Sequence, residues 1–169
     1  LLPYLVLLLY YRQGWNEIKE YRPPELQELK SPVFVSVIIP ARNEEKNIGE
    51  CIQSILEQTY PNNLFEVIVV DDHSNDTTAD IVSSFKKDFI HVLKLQDFVD
   101  KGKLNSYKKK AVETGISQAK GNLIVTTDAD CIVQPRWLET IVSFYETTGS
   151  VFIAAPVVLT GPEVADSYL

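Results

Sequence analysis

The sequence predicts an α/β fold, a mainly parallel sheet flanked by helices. Short β-branched runs alternate with segments of helical period along most of the chain. The runs are apolar throughout rather than alternately polar, the pattern of strands buried on both faces. Three of them end in clusters of polar residues, and ligands of open α/β sheets bind at the carboxyl ends of the strands.

The elements follow in order. Residues 1–11 (LLPYLVLLLYY) are nearly all apolar, but fewer than the roughly 20 that cross a bilayer. The chain opens at Leu1 and contains no methionine, so it reads as a piece of a longer protein. On that reading the segment is the end of a hydrophobic transmembrane helix. Tyr10, Tyr11 and Trp15 then sit at the lipid interface, with Arg12, Lys19 and Arg22 just beyond on the cytoplasmic side. Residues 1–22 are thus expected to be a membrane-anchor remnant with its juxtamembrane segment, the membrane lipid its partner and the following domain facing the cytoplasm. A core helix or a cleaved signal segment is the bland alternative. Pro23, Pro24 and Pro32 bracket a linker, residues 23–32, because proline stops helices and cannot donate to a sheet ladder.

One globular domain is expected over residues 33–169. Val33–Ile39 reads as a strand and Glu44–Gln58 as a helix with Ile48, Cys51, Ile52, Ile55 and Leu56 on one face. Phe65–Val70 is the next strand, Thr77–Phe85 a helix and His91–Leu95 a strand. A lysine-rich helix over Tyr107–Gln118, a strand at Leu123–Thr127, a helix at Leu138–Tyr145 and a strand at Val151–Leu159 complete the series.

The net charge of −7 opposes binding to a nucleic-acid backbone, which requires a surplus of Lys and Arg on one face. Cys51 and Cys131 are too few for a disulfide framework and lack zinc-site spacing, so both read as buried thiols. His73 and His91 show no metal-ligand spacing, and no glycine-rich phosphate loop follows the first strand.

The chemistry is sought at the three polar strand ends. Pro40-Ala41-Arg42-Asn43-Glu44-Glu45 follows the first strand; Asn43 is a candidate helix cap, with Arg42 and Glu44 directed at a ligand. Asp71-Asp72-His73-Ser74-Asn75-Asp76 follows the second. Two adjacent carboxylates there require a donor or partner; one could accept the imide N–H of a uracil, and Asp76 reads as a helix cap. Asp128-Ala129-Asp130 closes the strand at Leu123–Thr127. Alternate residues of an extended segment project to one side, so both carboxylates can approach one Mg2+ or Mn2+ that also takes phosphate oxygens. Lys108-Lys109-Lys110 offers a cation for donor phosphates or, blandly, a solvated helix face.

Together, residues 37–45 (VIIPARNEE), 69–74 (VVDDHS) and 128–130 (DAD) resemble the family 2 glycosyltransferases, whose nucleotide-binding fold is called GT-A. The similarity extends over residues 33–159 and includes Ile55-Leu56-Glu57-Gln58-Thr59-Tyr60-Pro61. It implies that Pro40, Ala41, Asn43, Glu44 and Asp72 bind the nucleotide. It also implies that Asp128 and Asp130, with Ala129 between them, hold the metal diphosphate. The family's lysine best matches Lys108 ahead of Ala111-Val112, while Glu113 stands where that family usually has Asn. The general base and any Gln-X-X-Arg-Trp acceptor motif are expected beyond Leu169. The resemblance thus implies the donor half of an inverting transferase using a nucleotide sugar, a UDP-sugar by preference. The acceptor would be a sugar, a lipid-linked carrier or a polysaccharide. Two rival readings are a haloacid-dehalogenase-type phosphotransferase, whose Asp-X-Asp sits on the first strand, and a membrane-tethered binding or scaffold module without catalysis.

Overall fold

The β-branched runs pair into one four-stranded parallel sheet in a computed structural model that describes residues 2–17, 21, 33–99 and 106–158. The strands are β1 (Val35–Ala41), β2 (Phe65–Asp71), β3 (Ile90–Lys94) and β4 (Leu123–Thr126), in the spatial order β3-β2-β1-β4. β2 is buried along its entire length, Glu66 included, as the apolar run Val67-Ile68-Val69-Val70 leads one to expect. Successive strands step outward from β1 through β2 to β3, and the chain then returns to the other side of β1. The strand order therefore reverses between β1 and β4, and the carboxyl ends at such a reversal are where open α/β sheets place their ligand crevice.

Helices cover both faces. α2 (Ile48–Leu56) buries Ile48, Cys51, Ile52 and Ile55, a spacing that gives one apolar stripe, against Val35, Val37, Ile39, Val67 and Val69. α3 (Thr78–Ser84) and α5 (Trp137–Thr148) supply Val82, Leu138 and Val142 to the same core. Each fully buried Ile, Leu or Phe contributes roughly 1.5–3 kcal/mol relative to exposure.

α4 (Tyr107–Gln118) packs on the opposite face, over Ile38, Ile68 and Val70. Its buried residues are small: Ala111, Thr114 and Gly115. A Cβ at Gly115 would lie 2.4 Å from the Ile38 Cγ2 methyl and 3.2 Å from that of Val70, so the missing side chain fixes how close helix and sheet approach. Gly121, on the return to β4, is pressed against backbone; a Cβ there would lie 2.5 Å from the Ser36 nitrogen.

That return is sealed by a buried polar network. The Ser36 hydroxyl and the Lys120 backbone N–H donate to Glu66 Oε1 at 2.6 and 2.7 Å, and Gly121 N–H donates to Ser36 Oγ at 2.8 Å. His91 Nε2 and Lys120 Nζ lie 3.6 and 3.9 Å from Glu66 Oε2. A buried carboxylate is tolerated when its oxygens meet donors in this way.

The structure departs from the sequence expectations at four points. The helix expected from Glu44 begins at Ile48, because residues 45–47 form a turn in which Glu44 O accepts from both Asn47 N and Ile48 N. Asn43 is not its cap; the flanking position is Asn47, and Asn43 sits in the left-handed region at φ 55°. Val151–Leu159 does not form the expected strand over residues 151–158, where Val151, Phe152, Val157 and Val158 are exposed. β-branched composition alone cannot hold a strand without a ladder partner, and none pairs with this segment among the described residues. Cys131 is half-buried rather than buried.

At the amino end the apolar run forms α1 (Leu2–Glu17), exposed along its whole length. At 1.5 Å per residue it reaches about 24 Å, short of the ~30 Å hydrocarbon layer. Among the described residues no helix is long and apolar enough to cross a membrane. The expected linker, residues 23–32, and the segment 159–169 lie outside the described residues.

The glycines provide a test of the packing. Gly115→Ala and Gly121→Ala should each lower unfolding stability by roughly 1–3 kcal/mol through overpacking. Gly49→Ala, whose nearest neighbour would be Ile81 Cγ2 at an ordinary 3.7 Å, should be neutral or stabilising by up to ~1 kcal/mol. Denaturant unfolding of the three variants, with equal losses at all positions, would refute this account of helix-sheet spacing.

Candidate functional site

The parallel register sets Pro40 beside Val70 and Ala41 beside Asp71, so β1 and β2 end level with each other. Asp72 N–H continues the ladder by donating to Ala41 O at 2.8 Å. β4 pairs with β1 only as far as Ile38, and Thr127 N–H donates to Ile38 O before the chain turns away. The three polar strand ends thereby surround the crevice beside β1.

The loops after β1 and β2 clasp one another. Asn43 N–H donates to Ser74 Oγ at 3.0 Å, and Asn75 N–H returns to Asn43 Oδ1 at 2.9 Å. Glu44 N–H donates to Thr78 Oγ1, Glu45 N–H to Asp76 Oδ2, and Thr77 to Glu45 Oε2 through both its N–H and its hydroxyl. Asp76 Oδ1 accepts from Thr78 N–H at 3.0 Å at the start of α3, so Asp76 caps the helix start from one residue before the flanking Thr77. The Thr78 hydroxyl, and then the Thr78 and Glu45 backbone N–H groups, hold the Asp76 carboxyl below its ordinary range. Asn43 and Glu44 therefore shape the loop; the Glu44 carboxylate itself accepts from Asn47 Nδ2 at 2.9 Å.

Asp71 and Asp72 are both buried, and each meets a donor, as adjacent carboxylates must. Asp71 Oδ1 accepts from Ser74 N–H at 3.3 Å. Asp72 Oδ1 lies 2.9 Å from His73 Nδ1, and Arg42 Nη1 stands 3.8 Å from Asp72 Oδ2. A carboxylate only accepts, so His73 carries its proton on Nδ1. The His73 ring meets Tyr107 edge to face at 5.8 Å, and the Arg42 guanidinium lies 6.0 Å from the centre of the same Tyr107 ring.

At the third strand end the two carboxylates stand on a turn rather than on an extended run. β4 ends at Thr126, and Cys131 N–H donates to Asp128 O. Ala129 points inward at 3 % exposure while Asp128 and Asp130 are exposed on either side of it. Lys108, on the first turn of α4, places Nζ 2.9 and 3.0 Å from the two oxygens of Asp128. That ammonium is a stand-in for a cation at the carboxylate. Among the described residues no cluster of three His, Cys, Asp or Glu side chains could hold a metal. Two carboxylates alone do not complete an ion's shell, so Mg2+ or Mn2+ held there would need water and phosphate oxygens as further ligands.

Of the residues singled out in the sequence, Lys108 meets Asp128 directly, and Ala41 meets Asp72 through the backbone. Asn43 and Glu44 connect to the Asp72 loop through Ser74, Asn75 and Thr78. Tyr107 and His73 were not legible as site residues; their only sequence signal is adjacency to Lys108 and to Asp72. Cys51 lies beneath the site, its Sγ–H 3.6 Å from Asp128 O. Burial first, then the acidic neighbours Cys131, Asp130, Asp128 and Glu44, push its thiol up to about 12.

The thiolate is the nucleophile, so Cys51 is inert at neutral pH. In the native chain at pH 8 a maleimide should modify Cys131 and leave Cys51 untouched until denaturant is added. Equal modification of both thiols, read by mass spectrometry of peptides, would contradict this environment.

The family model described as glycosyl transferase family 2 matches residues 36–167. The glycosyltransferase AglE of Haloferax volcanii is 36% identical over 129 residues, which cover 76% of this chain and 41% of that protein. The crystal structure of TarS from Staphylococcus aureus in complex with UDP-GlcNAc aligns with a TM-score of 0.58 at 29% identity, over 69% of this chain and 32% of that one. The mannosyltransferase PcManGT of Pyrobaculum calidifontis, in complex with GDP-Man and Mn2+, aligns with a TM-score of 0.64 at 28% identity, over 84% of this chain and 40% of that one. The chain thus spans less than half the length of each of these relatives.

Proposed function

This chain belongs to glycosyl transferase family 2, and on that premise we propose that it is the donor-binding part of a transferase acting on a nucleotide sugar, a UDP-sugar in the first instance. The observation that carries the reading is the ion pair between Lys108 and Asp128 at the point where the strand order reverses, 2.9 Å long and exposed to solvent. A carboxylate that faces a positive charge at the mouth of this crevice is suited to a metal diphosphate.

In this reading Asp72 accepts a hydrogen bond from the base, on a floor made by Pro40 and Ala41, with Asn43 and Glu44 holding the loop in place. Asp128 and Asp130 hold a divalent cation, Mg2+ or Mn2+, beside Ala129. Such an ion, when bound, neutralises charge developing on the leaving diphosphate. Lys108, released from Asp128, offers a further cation to the donor phosphates. TarS in complex with UDP-GlcNAc and PcManGT in complex with GDP-Man and Mn2+ support a nucleotide-sugar donor and a divalent ion.

The acceptor is proposed as a sugar, a lipid-linked carrier or a polysaccharide, whose hydroxyl attacks the anomeric carbon of the donor with inversion while a carboxylate takes its proton and the nucleoside diphosphate leaves. The exposed apolar surface of α1 supports membrane association, and the basic residues Arg12, Lys19 and Arg22 support a domain that faces the cytoplasm. Leu2, Tyr4, Leu5, Val6, Tyr10 and Tyr11 are all more than half exposed, and at 100° per residue they are spread around the helix rather than along one stripe.

The test is a calorimetric titration of UDP into the chain with and without Mn2+, repeated with Asp130→Ala. The parent should bind UDP at least tenfold more tightly with the metal, and the variant should lose that increment. UDP binding that is unaffected by Mn2+, or by the substitution, would rule out this donor site.

A further inference from the structure

Resting on the reading of Asp72 as the acceptor for the base, we infer that His73 sets the base specificity of the site, selecting uracil over guanine by occupying one of the two Asp72 oxygens. The Asp72 carboxylate is 5 % exposed at the end of β2 and offers two acceptor atoms. Oδ1 accepts the Nδ1–H of His73 at 2.9 Å. Oδ2 has the Arg42 guanidinium at 3.8 Å, beyond hydrogen-bond distance. Oδ1 therefore already carries one donor and has the His73 ring beside it, whereas Oδ2 accepts no hydrogen bond among the described residues.

The two bases differ in what they ask of a carboxylate. The imide edge of uracil presents one N–H donor between two carbonyl acceptors, and one oxygen satisfies it. The corresponding edge of guanine presents two adjacent donors, N1–H and the N2 amino group, which match both oxygens of a carboxylate. With His73 on Oδ1, the second guanine donor would have to share that oxygen with the imidazole N–H, whereas the single imide N–H of uracil needs only Oδ2. A buried donor that loses its acceptor in that competition costs about tenfold or more in affinity.

Three features hold His73 in this role. Its backbone is in the left-handed region at φ 57°, uncommon for any residue but Gly although His, like Asn and Asp, enters it more readily than most. Its ring stands edge-on to Tyr107, which orients it toward Asp72. Tyr107 opens α4, whose close seating on the sheet is fixed by Gly115. The histidine is thus a specificity-determining residue that acts through Asp72. Relatives of this fold include structures in complex with UDP-GlcNAc and with GDP-Man, so the fold alone leaves the base undetermined.

The experiment compares UDP and GDP titrated calorimetrically into the full chain at saturating Mn2+, for the parent, His73→Gly and His73→Asn. Glycine suits the left-handed backbone while freeing Oδ1; asparagine tolerates the same backbone and keeps an N–H donor beside Asp72. The parent should prefer UDP about tenfold or more. His73→Gly should narrow that preference about tenfold, mainly by tighter GDP binding, with thermal unfolding confirming a folded variant. His73→Asn should retain most of the parental preference. A preference unchanged in His73→Gly, or both affinities altered by one common factor, would overturn the inference and leave His73 a structural residue. A parent that binds neither nucleotide in a Mn2+-dependent manner would instead overturn the donor-site reading beneath it.

Discussion

Strand β1 hydrogen-bonds on both sides, to β2 along its whole length and to β4 as far as Ile38, and the polar residues at the carboxyl end of the sheet take their positions from those two ladders. Registers in parallel sheets are fixed by which faces are buried, and β1 and β2 are buried on both. A slip of one residue would carry Asp72 away from Ala41 and remove the acceptor for its backbone N–H. The longer pairing on one side than on the other is what separates β4 from β1 past Ile38 and leaves room for the turn that carries Asp128 and Asp130.

Most of the polar residues around this crevice are engaged in holding its walls. Asn43, Glu44, Glu45, Ser74, Asn75, Asp76 and Thr78 form a reciprocal set of hydrogen bonds between two loops that would otherwise be tied only at their strand ends. Such bonds contribute individually about 0.5–1.5 kcal/mol net, and their greater value is geometric: two loops fixed against each other present Asp72 from a rigid base. The side chains that face the crevice are fewer, chiefly Arg42, Asp72, Lys108, Asp128 and Asp130.

What could be read from the sequence follows from what is local. The apolar runs at Val37-Ile38-Ile39 and Val67-Ile68-Val69-Val70 announce strands because both faces are buried. The helix over Tyr107–Gln118 has the predicted bounds. The polar strand ends, the lysine and the Asp-X-Asp are visible because each is a short contiguous segment. Val151–Val158 has the composition of a strand, but composition cannot supply the neighbouring ladder. The helix start at Ile48 was placed too early because the turn at residues 45–47 is stabilised by a different loop, through Asp76 and Thr77, and no local pattern encodes that. Likewise His73 and Tyr107 meet only in three dimensions, one at the end of β2 and the other at the head of a helix.

The seating of α4 at Gly115 has a consequence for engineering. Lys108, Ala111 and Gly115 are spaced three and four residues apart, so they share one stripe of the helix. The stripe that rests on the sheet ends in the ammonium that reaches Asp128. At 1.5 Å per residue, Gly115 lies about 10 Å along the axis from Lys108. The helix is in effect a rigid lever with its fulcrum at a missing methyl group. A wedge inserted at residue 115 tilts the charge at the far end without touching any residue that lines the crevice, so the reach of that charge is adjustable from the protein interior.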